Sequence, residues 1–444
     1  MIRYRARWVL PISAPPLEDG VVAVEHGRIA YVGSAAGAPP GDTRQLGDAM
    51  LMPGLVNAHT HLELTAFRGF LENLDFARWI TRLQAMKKAV FDRDRFLDAA
   101  RLGLADGVRA GITTYADTCD SGVAFDAMLE AGVRGIMYQE VFGPDPAVAE
   151  GSLAELASMV DALRSRQTPL VRVGVSPHAP YSVSDALFAS VARYAAEHSL
   201  PVAVHIAESE VERILVEQGE GVFAESLRRR GIAVSSRGRS SIDVLSRAGV
   251  LDGKPLLIHC VRVDAADIER IAASESSVAH CPVSNAKLGH GVAPLAALLK
   301  AGIAVGLGSD SMASNDHMDL LAESRAAVLA QGARGVPHDA LSAGAALKLA
   351  TIGGARALGL DADIGSLEVG KAADLAAFPI VAHRGPLLDP EAAAVLALPG
   401  RAACLVTVAG RELVRDSTLL SWDAGLPARV ERTQAHMRAW ALTD

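Results

Sequence analysis

His59 and His61 stand two residues apart in "LMPGLVNAHTHLEL", residues 51–64. On an extended strand that spacing sends both imidazoles to one face. His205 in "VAVHIAES" and Asp310 in "GLGSD" each close another apolar run. Three imidazoles and a carboxylate suit one divalent ion, zinc first and iron or manganese next, with a position left for water. Such an ion lowers the pKa of a bound water from ~15.7 to about 7. Glu208 lies just past His205, where it can face that water without being a ligand, its pKa raised by partial desolvation. His259, in "PLLIHCV", can hydrogen-bond the nucleophile and the developing oxyanion. The chemistry these residues suit is metal-assisted hydrolysis. Taken singly they have plainer readings: a polar strand edge, a satisfied core histidine at His205, a helix N-cap at Asp310, a surface Glu208. Their common position at strand ends is what favours the metal.

Those positions require elements to hold them. Eight apolar, β-branched runs follow one another after Pro53: "LMPGLVNAH", "ITTYADT", "GIMYQEVF", "RVGVSPH", "PVAVHIAE", "PLLIHCV", "SVAHCPV" and "IAVGLGSD". Each is followed by a stretch at helical spacing, such as 211–230 or 292–301. Eight sequential βα units predict an α/β protein with a (β/α)8 TIM-type barrel. Six of the 13 histidines (His59, His61, His178, His205, His259 and His280) fall at ends of these strands, the face where such barrels place active sites. A two-metal version would need a carboxylated lysine or a carboxylate at the end of strand four. His178 is on offer there, so one ion is expected and His178 becomes a candidate for touching substrate, with a structural role as its other reading.

Both chain ends read as β. "GVVAVEHGRIAYVGS" predicts a hairpin about His26-Gly27, and "DIGSLEVGKAADLAAF" and "CLVTVAGRELVRD" predict short strands. The expected layout is residues 1–52 and 361–444 as two parts of one small β-sandwich domain, with 53–360 as the catalytic barrel. A terminal helix is expected over 430–442.

Half of the 444 residues are hydrophobic and 21% are charged, a globular composition. The net charge of −8, with no Lys/Arg cluster, argues against nucleic acid as a partner. The apolar run near the start is too short for a signal sequence, and no apolar span of about 18 residues predicts a membrane helix. Four cysteines without CxxC spacing fit a reducing, cytoplasmic setting.

The pieces "PGLVNAHTHLE", "SPHAPYS", "HIAES", "HCVRVD", "HCPVSNAKLG", "GLGSDS" and "GSLEVGKAADL" resemble the amidohydrolase superfamily, in its deaminase and chlorohydrolase branch. The resemblance spans about residues 1–420. It implies His59, His61, His205 and Asp310 as metal ligands, Glu208 as proton shuttle, His259 as the histidine that orients the nucleophile, and His178 as a substrate-binding histidine. The implied reaction is hydrolytic deamination of a heteroaromatic amine. Attack falls on the amine-bearing ring carbon, Glu208 protonates the adjacent ring nitrogen, and Asp310 and His259 help deprotonate the water and hold the tetrahedral intermediate. Texture within the branch points to adenine nucleosides modified at the 5′ position, aminodeoxyfutalosine first among them. Trp79 is a stacking candidate in the segment after strand one, although helix packing is its plainer reading. Gln139 and Glu140 stand where an arginine for a homocysteine carboxylate is expected, and Glu140 is instead a candidate for ribose hydroxyls. Guanine or triazine deamination, ring dechlorination, cyclic-amide hydrolysis and a non-catalytic scaffold are the rival readings. A homodimer is a family-level expectation.

Overall fold

A computed structural model of the protein describes residues 1–337, 339–380 and 388–442. Strands from both chain ends pair into one nine-stranded sheet. Its N-terminal part holds Ile2–Val9, Leu17–Glu25 and Arg28–Ser34. The hairpin turn is His26-Gly27, with φ of 50° and 76°, the left-handed pair that a two-residue turn between twisted strands demands. The C-terminal part enters through Leu375–Pro379, which lies antiparallel against Ala49–Pro53 from Leu375 opposite Pro53 to Pro379 opposite Ala49. Leu405–Val408 and Arg411–Arg415 extend the sheet outward.

The apolar run starting at Leu51 is two strands in two sheets. Ala49–Pro53 belongs to the terminal sheet and Leu55–His61 to a parallel one. Gly54 makes the change of sheet possible, because a Cβ there would collide with the side chain of Thr113. The expected strand "DIGSLEVGKAADLAAF" is likewise shorter than predicted, with only Leu375–Pro379 extended in a ladder. The residues before it run as turns pinned by single backbone bonds, Leu367 N to Pro11 O and Ala373 N to Gly27 O.

The parallel strands are β1 (Leu55–His61), β2 (Ile112–Cys119), β3 (Arg134–Val141) and β4 (Val171–Pro177), then β5 (Ala203–Ile206), β6 (Leu256–His259), β7 (Ser277–His280) and β8 (Val305–Leu307). They form two parallel sheets, β1 to β4 and β5 to β8, each in chain order. At one seam Val175 bridges Val202, and His205 N donates to His178 O at 2.9 Å. At the other, Asp310–Ser311 just after β8 pairs in parallel with Thr60 and His61 of β1. Every residue of β2 and β3 is buried, as expected for strands covered on both faces. Helices separate the strands. The predicted helix at 211–230 is two, Glu210–Gln218 and Gly221–Arg229, broken at Gly219, whose φ of 68° and approach to the Ser235 backbone exclude a side chain. The stretch at 292–301 is helical only over Leu295–Lys300, after Pro294.

Two elements close over the strand ends. The cover helix Phe76–Val90 starts at Asp75, whose carboxylate accepts from Arg78 N, and buries Phe76, Trp79, Leu83, Met86 and Val90, one stripe at helical spacing. The terminal helix Leu426–Ala441 packs against it and against Arg93–Arg109. Its Arg429 grips Asp98 through two nitrogens, and Gln434 donates to Ala66 O. The terminal sheet is tied to β3 by Arg134, which donates to both carboxylate oxygens of buried Asp374 at 2.8 and 3.2 Å.

Candidate metal centre and active site

The parallel strands bring four ligand-type side chains to one point. His59 Nε2 lies 3.1 Å from Asp310 Oδ1, and His61 Nε2 lies 3.7 Å from the same oxygen. His61 Nε2 and His205 Nε2 face each other at 3.1 Å. Burial holds both of these rings neutral, pushing the His61 pKa down to about 3 and that of His205 well below its ordinary value. The cluster is therefore one of converging lone pairs. Ligands bonded at 2.0–2.1 Å in a tetrahedral set stand about 3.3 Å apart, so these spacings suit one ion of zinc's size. The neighbours fix the set. Thr118 Oγ1 lies 3.2 Å from His61 Nδ1, and Ser284 and Ser314 both donate to Asp310 Oδ2. Asp310 has a φ of 55° and His259 one of 77°, left-handed conformations that side chains other than glycine seldom adopt and that concentrate at functional sites.

Glu208 stands beside the cluster. Its backbone is anchored by Glu212, which accepts from Ala207 N at 2.8 Å and from Glu208 N at 3.0 Å. Its Oε1 lies 3.5 Å from His259 Nε2 and 3.1 Å from His290 Nε2. Burial raises the pKa of this carboxyl, as the sequence suggests, but the two imidazoles outweigh burial and the net shift is downward. The expected upward shift is thus reversed, because one opposing ring, His290, comes from a loop with no strand-end position. His259 Nδ1 lies 3.0 Å from Asn285 Oδ1, an acceptor, so Nδ1 is the donor in that contact and Nε2 is the nitrogen turned toward Glu208.

The cleft above this point is lined by the cover helix and by the ends of β3 and β4. Trp79, Phe76, Glu140, Phe142, His178, Tyr181 and Lys87 share its wall with His61, His205, Glu208, His259 and Asp310. Trp79 is buried and lies nearly parallel to Phe76, with ring centroids 6.1 Å apart. Its indole nitrogen has no partner among the described residues. Glu140 is buried with Oε1 likewise unpartnered, 3.9 Å from His178 Nε2. Burial, then nearby Asp120, pushes its carboxyl well above the usual range. His178 Nδ1 meets Ser182 Oγ at 2.7 Å. Glu63 stands apart from the cluster as a brace, accepting from Lys87 Nζ at 2.9 Å and from Ser121 and Cys119. His280 is buried at the end of β7 and is not among the residues lining the cleft.

Residues 50–412 match the model of the amidohydrolase family. The chain belongs to the amidohydrolase family. Among its curated relatives is a 5-methylthioadenosine/S-adenosylhomocysteine deaminase of Moorella thermoacetica, 34% identical over 423 residues, 94% of each chain. A 5′-deoxyadenosine deaminase of Methanothermobacter thermautotrophicus is 32% identical over 92% of each. Among solved structures, an adenosine deaminase from Xanthomonas campestris with bound zinc superposes with a TM-score of 0.88 at 30% identity, covering 99% of this chain and 98% of that one.

In this amidohydrolase the strand-end criterion locates the histidines of the cluster but overlooks two cleft residues and a histidine set against Glu208. His290 sits in "KLGHGVAP", a loop whose sequence signal is the pair of glycines around the histidine. Lys87, in "AMKKAV", has the pattern of a solvated helix face, yet its ammonium is pinned between Glu63 and Asp120, each at 2.9 Å. Tyr181, quoted within "SPHAPYS" but given no role, stacks on Phe223 with centroids 4.7 Å apart and meets His178 edge-on.

Proposed function

We propose that this amidohydrolase is a metal-dependent hydrolytic deaminase of adenine nucleosides modified at the 5′ position, aminodeoxyfutalosine or another of that class. The observation that carries it is the convergence of His59, His61, His205 and Asp310 on one point, with Glu208 beside it and outside the set. The activities of the Moorella and Methanothermobacter relatives supply the substrate class. Zinc, held by the Xanthomonas relative, is the ion assigned, with iron(II) and manganese(II) as competitors in reconstitution. The ring of parallel strands is read as a closed (β/α)8 barrel over 53–360. The terminal sheet of 1–52 and 361–444 is read as its β-sandwich companion. Cys119, Cys260, Cys281 and Cys404 are all free thiols, which supports a cytoplasmic setting. No helix among the described residues is long and apolar enough to cross a membrane.

In this reading the bound ion supplies Lewis acidity that makes water nucleophilic at neutral pH. The chain's residues do the rest. Glu208 takes a proton from the water and delivers it to the ring nitrogen next to the amine-bearing carbon. His259, steered by Asn285, accepts a hydrogen bond or proton at Nε2 and, once protonated, donates to the developing oxyanion. Asp310 keeps Oδ1 toward the cluster because Ser284 and Ser314 occupy Oδ2. Trp79 and the cover helix exclude water and offer an aromatic face to the purine. Glu140 offers its carboxyl to ribose hydroxyls. It also places an acid where a homocysteine carboxylate would need a cation, which favours nucleosides without an amino-acid tail. The balance is one water consumed, a C–O bond formed at the ring carbon, the exocyclic C–N bond broken, one water proton on the ring nitrogen and the other leaving with the amine as ammonia.

The test is ammonia release from the metal-loaded protein over adenosine, 5′-deoxyadenosine, methylthioadenosine, S-adenosylhomocysteine, aminodeoxyfutalosine, guanine and an aminotriazine. Turnover is expected to be highest on a 5′-modified adenosine. Silence across every aminopurine with the ion bound would overturn the proposal. A protein that neither holds nor regains a divalent ion would support the scaffold reading.

A further inference from the structure

The loop after β7 carries a histidine that no strand-end argument selects. His290 is 3% exposed, and its Nε2 stands 3.1 Å from Glu208 Oε1. That nitrogen completes no hydrogen bond among the described residues, and the Glu208 carboxylate oxygen 3.1 Å away is the acceptor within ion-pair reach of it. The loop is shaped to deliver it. Gly289 and Gly291 on either side have φ of 71° and 102°, backbone that side chains rarely adopt, and His290 N is tied to Asn285 O at 2.9 Å. The Phe76 ring of the cover helix meets the imidazole edge-on at 4.6 Å and limits its rotation. The same turn thus controls two groups, since Asn285 orients His259 through its side chain and holds His290 through its backbone.

We infer that His290 is a positioning residue for Glu208, holding Oε1 so that Oε2 is presented to the water and to the purine ring nitrogen. The inference rests on Glu208 as the proton-transfer group of the proposed reaction. A donor at Oε1 fixes one rotamer of a side chain that would otherwise swing in the cleft, and it favours the ionised carboxylate that must accept the first proton. The other groups around Glu208 do not duplicate this. His259 is 3.5 Å away and is engaged by Asn285, while Glu212 is spent on the Glu208 and Ala207 backbone N–H groups. Asp310 lies on the far side in the ligand cluster, and the His178 and Tyr181 rings act on Glu208 only through space.

The test compares H290A, H290Q and E208Q in the full-length, metal-loaded protein, using the nucleoside that gives the highest ammonia release. H290A is expected to keep its full metal content, to lose about 10- to 100-fold in kcat with little change in KM, and to show an acid limb of kcat/KM moved up by about one pH unit. H290Q keeps an N–H donor and is expected to recover most of the rate and the parent acid limb. An H290A acid limb at the parent position, loss of the metal, or an H290Q profile displaced as far as that of H290A would each overturn the inference. E208Q separates the two levels. If E208Q is dead while H290A keeps the parent profile, only the role of His290 fails. If E208Q turns over normally, the proposed reaction fails and His290 with it.

Discussion

Glu208 and the four ligand-type residues define the account at the scale of single side chains. Glu208→Gln preserves shape and removes the carboxylate that accepts and passes on the proton. It is expected to lower kcat by ~10²–10⁴-fold while metal analysis shows an unchanged stoichiometry. Loss of the ion in that variant would make Glu208 a ligand. Asp310→Asn is expected to fail the same metal analysis, because Oδ1 converges on the same point as His59 Nε2 and His61 Nε2 and its charge is lost. The placement of these residues together was legible in the sequence because strand ends recur: an apolar run closing on a histidine or aspartate repeats along the chain. Two features were not. His290 and Lys87 come from a loop and a helix, where spacing predicts no direction into the cleft. The direction of the Glu208 shift was not legible either, since burial alone argues upward and only the placement of His259 and His290 turns it down.

The cover helix is the element on which the cleft depends. Its Lys87 pairs with buried Glu63 from the segment after β1 and with Asp120 from the segment after β2. Lys87→Met keeps the length of the side chain and leaves the buried Glu63 carboxylate without its cationic partner. A loss of about 3–5 kcal/mol in unfolding free energy is expected by denaturant titration. Burial works to raise the Glu63 carboxyl, but the Lys87 ammonium and the Ser121 hydroxyl prevail and hold it below the usual range. A depressed carboxyl contributes stability above its unfolded pKa and loses it as pH falls through the lowered folded value. The stability lost on acidification below about pH 4.3 should therefore be smaller in Glu63→Gln than in the parent. Lys87 was not legible as a brace, because a lysine on a helix reads as solvated until the partner strand ends are in place. Element boundaries failed for a related reason: Gly54 and Gly219 divide continuous apolar or helical runs where the backbone must pass close to another segment.

At the scale of the whole molecule, a buried ion pair joins the terminal sheet to the parallel strands. Arg134 on β3 holds Asp374, which also accepts from Ala409 N at 2.7 Å, so one carboxylate serves the strand ends and the terminal sheet together. Arg134→Met leaves that acid buried and unpaired, and a loss of about 3–5 kcal/mol is expected in the same titration. The pairing of both chain ends was legible in composition, since β-type runs bracket the βα units. The register of Ala49–Pro53 on Leu375–Pro379 was not, because it depends on where the first apolar run changes sheet. The central claim is that a water oxygen replaces the exocyclic amine of a purine. It is tested most directly by turnover of the preferred 5′-modified adenosine in ¹⁸O-labelled water, with the product resolved by mass spectrometry. The account predicts one ¹⁸O on the purine ring and one ammonia per turnover. A product with an intact aminopurine, or with the label elsewhere, would contradict it.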